Sequence, residues 1–422
     1  MADDYDVIII GAGVAGSACA LLCARAGLSV LLIERGEQPG SKNLSGGRLY
    51  GYALADIVPD FQTSAPLERH ITRENFSLLT ADGDTTLSGN HPVNESWSVL
   101  RARFDPWLAA RAEAAGAQLL CGVTAERLHQ QGARIAGVVC EGEALTARVV
   151  VLAEGANSEL AERSGLRPAP ALESMALGIK ETLALDPALM QARFRLEENG
   201  GLAWLFSGHL FGSQPGGAFL YTNRHTLSLG VVAPLSSLRD GPAAAATLLG
   251  ALKNHPSVRP LVHGAETLEY GAHLVPEGGL HALPARRAGA GWLLIGDALG
   301  TCINTGLTVR GMDMALLNAQ AAAETVIAHI RGPASSLPAL YASALEGSPL
   351  WQQLRRYRHH PALLQSSVWY QQAPVFCRDV LAEMSRADAQ VSPSLWRTLL
   401  RHGHRAGLRR LSATLLRSLK CL

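Results

Sequence analysis

The sequence predicts an α/β fold, α+β overall, in which a nucleotide-binding domain is assembled from separate parts of the chain. The first 34 residues read as strand, helix and strand around a glycine-rich turn. Residues 148–158 and 291–300 each place an apolar strand before a loop of small residues. Between them, residues 176–280 contain several strand-like runs, which we expect to form an inserted antiparallel sheet. The chain after Pro333 is typical of helices and loops.

The first βαβ unit carries a dinucleotide-binding fingerprint. An apolar strand at residues 7–10 leads into Gly11, Gly13 and Gly16. Gly11 permits the tight turn, Gly13 lets the backbone approach a pyrophosphate, and Gly16 lets the helix pack close to the sheet. Glu34 follows Gly16 by 18 residues, at the end of the second strand, where its carboxylate can accept from ribose hydroxyls. Because it lies at a strand end, we expect Glu34→Ala to weaken nucleotide binding and to leave the stability of the nucleotide-free protein almost unchanged.

The same stretch has an alternative interpretation as a membrane span or signal peptide. Residues 7–24 are 18 consecutive residues without a formal charge, about the minimum length of a membrane-spanning helix. Three glycines within it disfavour a continuous helix. Asp3, Asp4 and Asp6 also precede it, where a signal peptide would carry positive charge. We therefore favour the βαβ unit.

The remaining elements follow in chain order. Residues 36–50 form a polar, glycine-rich loop that can lie flat against a planar ligand. Residues 70–90 alternate as two strands with a hairpin at 82–83, and an amphipathic helix is predicted at 107–115. The further predicted elements are strands at 118–123, 135–140, 148–153, 177–183, 217–222, 226–232 and 268–273 and a long alanine-rich helix at 312–330.

Charge is nearly balanced overall but unevenly distributed. The formal net charge of +1 argues against a nucleic-acid-binding protein. Residues 391–422 carry seven Lys or Arg and no acidic residue, which leaves 30 basic and 36 acidic residues in the rest of the chain. Leu408, Leu411, Leu415 and Leu419 fall at helical spacing within this basic tail. The tail either contacts a partner protein or an anionic membrane surface, or packs as a helix on the acidic body.

The seven cysteines indicate neither a metal site nor a secreted disulfide framework. They lie at positions 19, 23, 121, 140, 302, 377 and 421, without a CxxC pair. Such spacings build neither a zinc site nor an iron–sulfur cluster, and are typical of small core residues in a reducing compartment. We therefore expect no metal in this chain and a cytoplasmic location, with a peripheral contact on the inner face of the cell membrane left open by the basic tail.

Three separated segments, residues 11–34, 153–158 and 294–313, form one pattern. It resembles the FAD-binding fold shared by p-hydroxybenzoate hydroxylase, geranylgeranyl reductase and electron transfer flavoprotein–quinone oxidoreductase. Within that group the chain resembles the FixC branch nearly end to end. The motifs that carry this resemblance lie at residues 42–50, 178–181, 216–223, 273–279 and 309–313.

The resemblance implies three regions. A discontinuous, Rossmann-like FAD-binding domain would comprise residues 1–70, 97–165 and 283–332. An antiparallel-sheet domain for a substrate or quinone would comprise residues 71–96 and 166–282. A helical C-terminal region with the basic tail would occupy residues 333–422.

The resemblance also implies FAD as the cofactor. Asp297 would accept a hydrogen bond from the ribityl chain, Arg101 would reach the pyrophosphate or ribityl region, and Val123 would offer backbone contacts to adenine. Backbone amides at residues 310–312 start a helix and would face flavin N1 and O2, where the positive dipole end stabilises an anionic reduced flavin. The expected FAD-binding residues are Gly11, Gly13, Ala15, Gly16, Glu34, Arg35, Lys42, Asn43, Ser45, Gly46, Gly47, Arg101, Val123, Ala153, Glu154, Gly155, Gly296, Asp297, Gly306, Arg310, Gly311 and Met312.

No side chain stands out as a nucleophile or general base. The sequence has no GxSxG elbow, no HExxH and no catalytic Cys–His motif, so we assign the chemistry to the flavin and name no catalytic residue. His273, Lys180 and Glu181 are the polar residues most expected near the flavin. The resemblance assigns Gly216, Gly217 and His273 to a substrate or quinone pocket, although Pro215 stands where the long quinone oxidoreductases have an aromatic residue.

The resemblance implies an FAD-dependent electron-transfer oxidoreductase. It would accept electrons from an electron transfer flavoprotein and pass them to a quinone or to a small ferredoxin-like iron–sulfur protein, which would supply the cluster that the long enzymes carry in a C-terminal domain. Two alternatives stay open. One is a flavin-dependent reductase or monooxygenase acting on a hydrophobic small molecule, and the other is a non-catalytic FAD-binding assembly subunit.

We predict that the purified protein binds one FAD per chain non-covalently and contains no metal. The FAD pattern and the dispersed cysteines lead to this expectation. Absorbance after heat release of the flavin and elemental analysis for iron measure the two quantities. Stoichiometric iron would contradict the assignment of the cluster to a separate partner.

Overall fold

The computed structural model describes residues 3–43, 46–91, 95–240, 245–333, 335–387 and 393–407. Its strands, in chain order, are β1 (Tyr5–Ile10), β2 (Val30–Glu34), β3 (Gly47–Tyr50), β4 (Leu67–Leu79), β5 (Asp84–Asn90), β6 (Ser96–Val99), β7 (Gln118–Cys121), β8 (Ala125–Gln131), β9 (Arg134–Cys140), β10 (Glu143–Leu152), β11 (Met175–Ala184), β12 (Gly200–Gly208), β13 (Gly217–Thr222), β14 (Thr226–Pro234), β15 (Glu266–Pro276), β16 (Ala288–Gly289), β17 (Trp292–Leu294), β18 (Ile303–Asn304) and β19 (Val309–Arg310). Its α-helices are α1 (Val14–Arg25), α2 (Tyr52–Ala55), α3 (Phe61–Ser64), α4 (Arg101–Ala114), α5 (Glu159–Arg163), α6 (Pro187–Phe194), α7 (Leu235–Asp240), α8 (Ala245–Asn254), α9 (Arg259–Val262), α10 (Met312–Arg331), α11 (Leu337–Gly347), α12 (Pro349–Arg356), α13 (His360–Leu364), α14 (Gln372–Met384) and α15 (Leu395–Arg405).

Parallel strands form the centre of the first sheet, in the order β17-β10-β1-β2-β7. β16 pairs antiparallel with β17. β9 pairs antiparallel with both β10 and β8. Val7, Ile8 and Ile9 are fully buried, as are residues 149–152, because α1 packs on β1 and β2 while α4 and α11 pack on the two ends of the sheet. Strands buried on both faces read as unbroken apolar runs, which is why the sequence revealed them. The predicted α/β order is confirmed.

Helix α4 begins at Arg101 and not at residue 107, where the sequence predicted its start. The Leu100 carbonyl accepts from the backbone N–H groups of Arg103 and Phe104, both at 2.9 Å, so a helical turn forms ahead of Pro106. Arg101 and Asp105 pair across that turn at 2.6 Å. An oppositely charged pair at this spacing stabilises the turn.

The second sheet has the strand order β15-β11-β14-β13-β12-β4-β6-β3, with β5 paired to β4. Its pairings are antiparallel except between β4 and β12, which run parallel, so the expected antiparallel sheet contains one parallel step among the described residues. β3 and β6 belong to this sheet although they fall within, or mostly within, segments that we assigned to the FAD-binding domain. The domain boundaries therefore stay a prediction.

Strand β12 is absent from the sequence-based prediction because it contains Gly200, Gly201 and Gly208, which lower strand propensity. The same lack of side chains brings β12 close to β4. A Cβ on Gly201 would lie 2.8 Å from Arg69 Cβ and 2.9 Å from the His70 carbonyl oxygen, a contact that an alanine could not make without displacement.

The C-terminal region is helical, as predicted, from α11 to α15. Among the described residues, no helix is both long and apolar enough to cross a bilayer. The predicted amphipathic segment of the basic tail, residues 408–422, lies outside the described residues.

A buried hydrogen-bond chain ties this region to the first sheet. The Tyr341 hydroxyl of α11 donates to the Leu294 carbonyl at 2.6 Å and accepts from Asn318 Nδ2 of α10 at 2.9 Å. Asn318 Oδ1 in turn accepts from the Gly296 N–H at 2.8 Å. These groups therefore fix the backbone immediately before Asp297.

We expect Tyr341→Phe to lower the free energy of unfolding by about 1–3 kcal/mol, because buried partners of the hydroxyl lose their hydrogen bonds. The matched control is Tyr5→Phe, whose hydroxyl donates to Gln118 Oε1 at 2.8 Å in an exposed position. The control should change stability by at most about 0.5 kcal/mol. Equilibrium denaturation in urea measures both, and equal effects would contradict the structural role of the buried chain.

Candidate functional site

A cavity of about 900 Å³ lies between the two sheets. Residues at and after the carboxyl ends of β1, β2, β10 and β17 line one side, and residues of β11, β13 and β15 line the other. Segments 304–312 and 360–370 contribute further walls. The carboxyl edge of a parallel sheet is where α/β folds bind their ligands, so this cavity is the candidate functional site.

The fingerprint turn is packed so tightly that only glycine fits at two positions. A Cβ on Gly11, which has a φ of +101°, would lie 2.4 Å from the Ala153 carbonyl oxygen. A Cβ on Gly16 would lie 1.9 Å from the Gly11 carbonyl oxygen. Gly13 is the N-cap of α1 and provides no side-chain cap, and Val14 and Ala15 line the cavity. The N–H groups and positive dipole end of α1 are therefore available to an anion.

Glu34 lies at the end of β2 and is held by the backbone on both sides. Its Oε2 accepts from the Ala12 N–H at 3.0 Å and its Oε1 accepts from the Gly36 N–H at 2.8 Å. A carboxylate oxygen can accept more than one hydrogen bond, so each oxygen retains capacity for a ribose hydroxyl. Because Ala12 is fully buried, Glu34 also satisfies a backbone donor that water does not reach.

Arg101 lies against the fingerprint turn and forms a partly buried ion pair with Asp105. Its Nε and Nη2 both lie 2.6 Å from the carboxylate of Asp105, which is fully buried and also accepts from Asn43 Nδ2 at 3.0 Å. Burial alone would lower the pKa of Arg101, but the Asp105 carboxylate more than offsets this and raises it. A Cβ on Gly13 would lie 3.8 Å from Arg101 Nη2, so the charged guanidinium faces the turn where a pyrophosphate would bind.

Asp297 follows the turn after β17 and lines the cavity. Burial raises its pKa, and the positive charges of Arg101 and Arg167 partly offset that effect. Within the described part of the chain its carboxylate makes no hydrogen bond, so it can accept from a ligand hydroxyl. Glu154 differs, because its carboxylate accepts from the Leu160 and Ala161 N–H groups at 2.9 and 3.0 Å and thereby caps α5.

Lys180 and His273 approach the cavity from the second sheet. Burial lowers the pKa of Lys180 to about 7, assisted by the charge of Arg101, while its Nζ donates to the Gly46 carbonyl. Burial lowers the pKa of His273 to about 4, with Arg101 and Lys180 adding to the shift, so the imidazole is neutral at neutral pH. Glu181 is not part of this wall: its carboxylate pairs with Lys253 at 2.7 Å.

Most of the expected site residues line this one cavity. They are Gly11, Gly13, Ala15, Glu34, Arg35, Lys42, Asn43, Gly46, Gly47, Arg101, Val123, Ala153, Glu154, Gly155, Lys180, Gly216, Gly217, His273, Asp297, Gly306, Gly311 and Met312. Gly16 and Gly296 pack behind it, against the Gly11 carbonyl and the Ala15 side chain respectively. Ser45 lies outside the described residues.

Arg310 turns its side chain away from this lining. Its guanidinium binds Asp313 at 2.6 and 2.8 Å, the Tyr52 hydroxyl at 2.8 Å and Gln353 at 3.1 Å. Only its backbone therefore remains a candidate for facing a ligand, together with the neighbouring residues Gly311 and Met312, which do line the cavity.

Several important residues escaped sequence reasoning. Asp105 follows Arg101 by four residues, the spacing of an ion pair on one face of a helix. We missed this pair because we predicted the helix to begin only at residue 107. Trp369 and Tyr370 line the cavity from a segment with no motif of its own, and Glu277 lines it from the motif at residues 273–279, in which we had assigned a role only to His273. Asn318, a polar residue inside an alanine-rich helix, was a signal of a buried hydrogen bond.

Comparison with known proteins agrees with this geometry. Residues 6–167 match the FAD dependent oxidoreductase family. The chain is 56% identical to the probable electron transfer flavoprotein-quinone oxidoreductase YgcN of Escherichia coli (strain K12), with 100% of each chain covered. It is 40% identical to protein FixC of the same strain, over 96% of each chain.

A solved structure extends the comparison to the fold. A geranylgeranyl bacteriochlorophyll reductase-like protein from Thermoplasma acidophilum matches with a TM-score of 0.69 at 18% identity, over 97% of this chain and 99% of that one. This likeness confirms the predicted fold class.

We expect Glu34→Ala to weaken FAD binding by roughly 1.5–3 kcal/mol for each charge-assisted hydrogen bond lost to the ribose. From the sequence we expected the stability of the FAD-free protein to stay almost unchanged. The structure revises this expectation, because in Glu34→Ala the buried Ala12 N–H loses its acceptor. The FAD-free protein should therefore lose about 1–3 kcal/mol of stability. Glu37→Ala, at an exposed position in the following loop, is the matched control and should change neither quantity.

Flavin fluorescence titration and denaturation of the FAD-free protein measure the two effects of Glu34→Ala. Unaltered FAD affinity would contradict the assignment of Glu34 to the ribose. Unaltered stability would contradict its role in holding the fingerprint turn.

Proposed function

Since the chain belongs to the FixC family of electron transfer flavoprotein–quinone oxidoreductases, we propose that this FAD-dependent oxidoreductase accepts electrons from an electron transfer flavoprotein and passes them to a quinone. A small ferredoxin-like iron–sulfur protein is the proposed additional partner. The relatives' names and one structural observation support this proposal. That observation is a single cavity that joins a nucleotide-binding edge to a pocket with aromatic walls.

The residues of the first sheet fit FAD along the length of the cavity. Glu34 would bind the adenosine ribose, the N-terminus of α1 with Arg101 would bind the pyrophosphate, and Asp297 would bind the ribityl chain. Adenine would lie by Val123 and the flavin ring by residues 311–312. When bound, FAD supplies the redox centre of the reaction. The protein's own residues bind and orient it and keep water away from it.

The far end of the cavity fits a planar, mostly apolar electron acceptor. Gly216 and Gly217 line it beside Pro215, the position at which the long quinone oxidoreductases have an aromatic residue. Trp369 and Tyr370, from the C-terminal region, line the same cavity and bring aromatic side chains to it from another part of the fold. Aromatic and apolar walls with few polar groups are typical of sites for such ligands. This supports a quinone as the acceptor despite the proline.

The ferredoxin-like partner is proposed by analogy with FixC. The described residues contain no group of three or more His, Cys, Asp or Glu side chains arranged to hold a metal ion. We propose that the protein acts in the cytoplasm and that the basic tail gives it a contact on the inner face of the membrane. The uneven charge of residues 391–422 supports that contact.

The proposed function is tested by following the absorbance of the bound flavin anaerobically. Reduced electron transfer flavoprotein should bleach it much faster than NADPH does, and a water-soluble ubiquinone analogue should then restore the oxidised spectrum. Rapid bleaching by NADPH, with no response to the flavoprotein, would indicate the alternative reductase or monooxygenase. Bound flavin that no physiological donor reduces would indicate the assembly subunit.

A further inference from the structure

Glu277 brings a carboxyl group to the acceptor end of the cavity. It follows directly after β15, and its N–H donates to the Ser174 carbonyl at 2.9 Å, which fixes the backbone there. Its side chain lines the same cavity as Gly216 and Tyr370. Burial raises the pKa of the Tyr370 hydroxyl, and the charge of Glu277 adds to that shift.

Asn304 determines which oxygen of Glu277 can carry a proton. Asn304 Oδ1 accepts from the Gly306 N–H at 2.8 Å, so its Nδ2 is left to donate to Glu277 Oε2 at 3.0 Å. Oε2 is thereby an acceptor. Glu277 Oε1 is buried and has no hydrogen-bond partner within the described part of the chain. A proton on this carboxyl group therefore belongs on Oε1.

Burial also makes that proton stable at neutral pH. Desolvation raises the pKa of Glu277 to about 7. The hydrogen bond from Asn304 lowers this pKa and so offsets part of the effect of desolvation. The charge of Glu277 acts on Cys302 and Tyr370, and burial raises the pKa of both, so both are neutral at neutral pH. The carboxyl group can thus gain and lose a proton near neutral pH. Lys180, which lines the same cavity, also has a pKa of about 7, so the contribution of Glu277 is the difference between wild type and a Glu277 variant.

We propose that Glu277 is the acid that protonates a carbonyl oxygen of the quinone acceptor when its carboxyl group turns Oε1 from the buried position into the cavity, and that Asn304 is a positioning residue that keeps the proton on Oε1 until then. This inference rests on the proposed function. Reduction of a quinone to a quinol takes two electrons and two protons. The electron pair comes from the reduced flavin. One proton comes from Glu277 as its O–H bond breaks and the quinol O–H bond forms, and the second comes from solvent, which also reprotonates Glu277.

The test compares Glu277→Gln with Glu173→Gln, a matched control at an exposed position on the rim of the same cavity. The holoprotein is reduced with dithionite and mixed anaerobically with a water-soluble ubiquinone analogue. Glu277→Gln should slow reoxidation by about 10²–10⁴-fold, the usual contribution of a positioned acid. Reoxidation by ferricyanide, which accepts electrons without protons, should be unchanged in both variants.

The pH profile adds a readout that a structural role would not move. Wild-type reoxidation by the quinone should fall as pH rises through about 7, where Glu277 loses its proton, and Glu277→Gln should lack this part of the fall, whereas Glu173→Gln should keep it. Asn304→Ala should move the midpoint to higher pH, because the hydrogen bond that lowers the pKa of Glu277 is lost.

Thermal stability gives a readout that does not depend on activity. The folded protein holds the Glu277 proton up to about pH 7, whereas an unfolded glutamate releases it near 4.3. The folded state therefore binds more protons in this window, so the carboxyl group destabilises the protein as pH rises. The melting temperature of Glu277→Gln relative to wild type should thus increase between about pH 5 and pH 8, and that of Glu173→Gln should not.

The outcomes separate the two claims. Wild-type flavin that the quinone cannot reoxidise would overturn the proposed function. Reoxidation of wild type and Glu277→Gln at equal rates, with parallel melting curves across pH, would overturn the role of Glu277 and leave the proposed function standing.

Discussion

The structure depends on the close backbone contact between the fingerprint turn and the end of β10. A Cβ on Gly11 would collide with the Ala153 carbonyl oxygen, and a Cβ on Gly16 would collide with the Gly11 carbonyl oxygen. This contact sets the start of α1 against the carboxyl edge of the parallel sheet. Glu34 reinforces it by bonding the buried Ala12 N–H, so the residue that would bind a ribose also holds the turn in place. The Glu34 carboxylate would therefore serve both the binding of a ribose and the folding of the fingerprint turn.

Electrostatics divide the cavity into two chemically different ends. At the nucleotide end the fully buried carboxylate of Asp105 raises the pKa of Arg101 and holds its guanidinium, which therefore stays charged beside the fingerprint turn. Towards the second sheet and the C-terminal segments, desolvation dominates and favours neutral forms of His273 and Glu277. An anionic dinucleotide suits the first end, and a neutral acceptor that takes up protons with its electrons suits the second.

The sequence predicted local features well and long-range ones poorly. The fingerprint is one continuous segment of strand, turn, helix and strand, so roles could be predicted for its glycines and for Glu34 from the sequence alone. Strand β12 could not, because its glycines serve a close approach to β4, which lies more than a hundred residues earlier in the chain. Glu277 lies within the motif at residues 273–279, but its role could not be assigned, since that role arises from Asn304 on another segment and from burial. Pairings of this kind leave no pattern in one sequence.

The central claim is that one cavity holds FAD with its ribose at Glu34 and its flavin ring towards Gly216, Gly217 and Glu277. An experimental structure of the FAD-bound protein tests it most directly. We expect the ribose hydroxyls within hydrogen-bond distance of the Glu34 carboxylate, a ribityl hydroxyl at Asp297, and the flavin ring beside the pocket that Trp369 and Tyr370 line. Density for the flavin ring outside this cavity, or a ribose remote from Glu34, would contradict it.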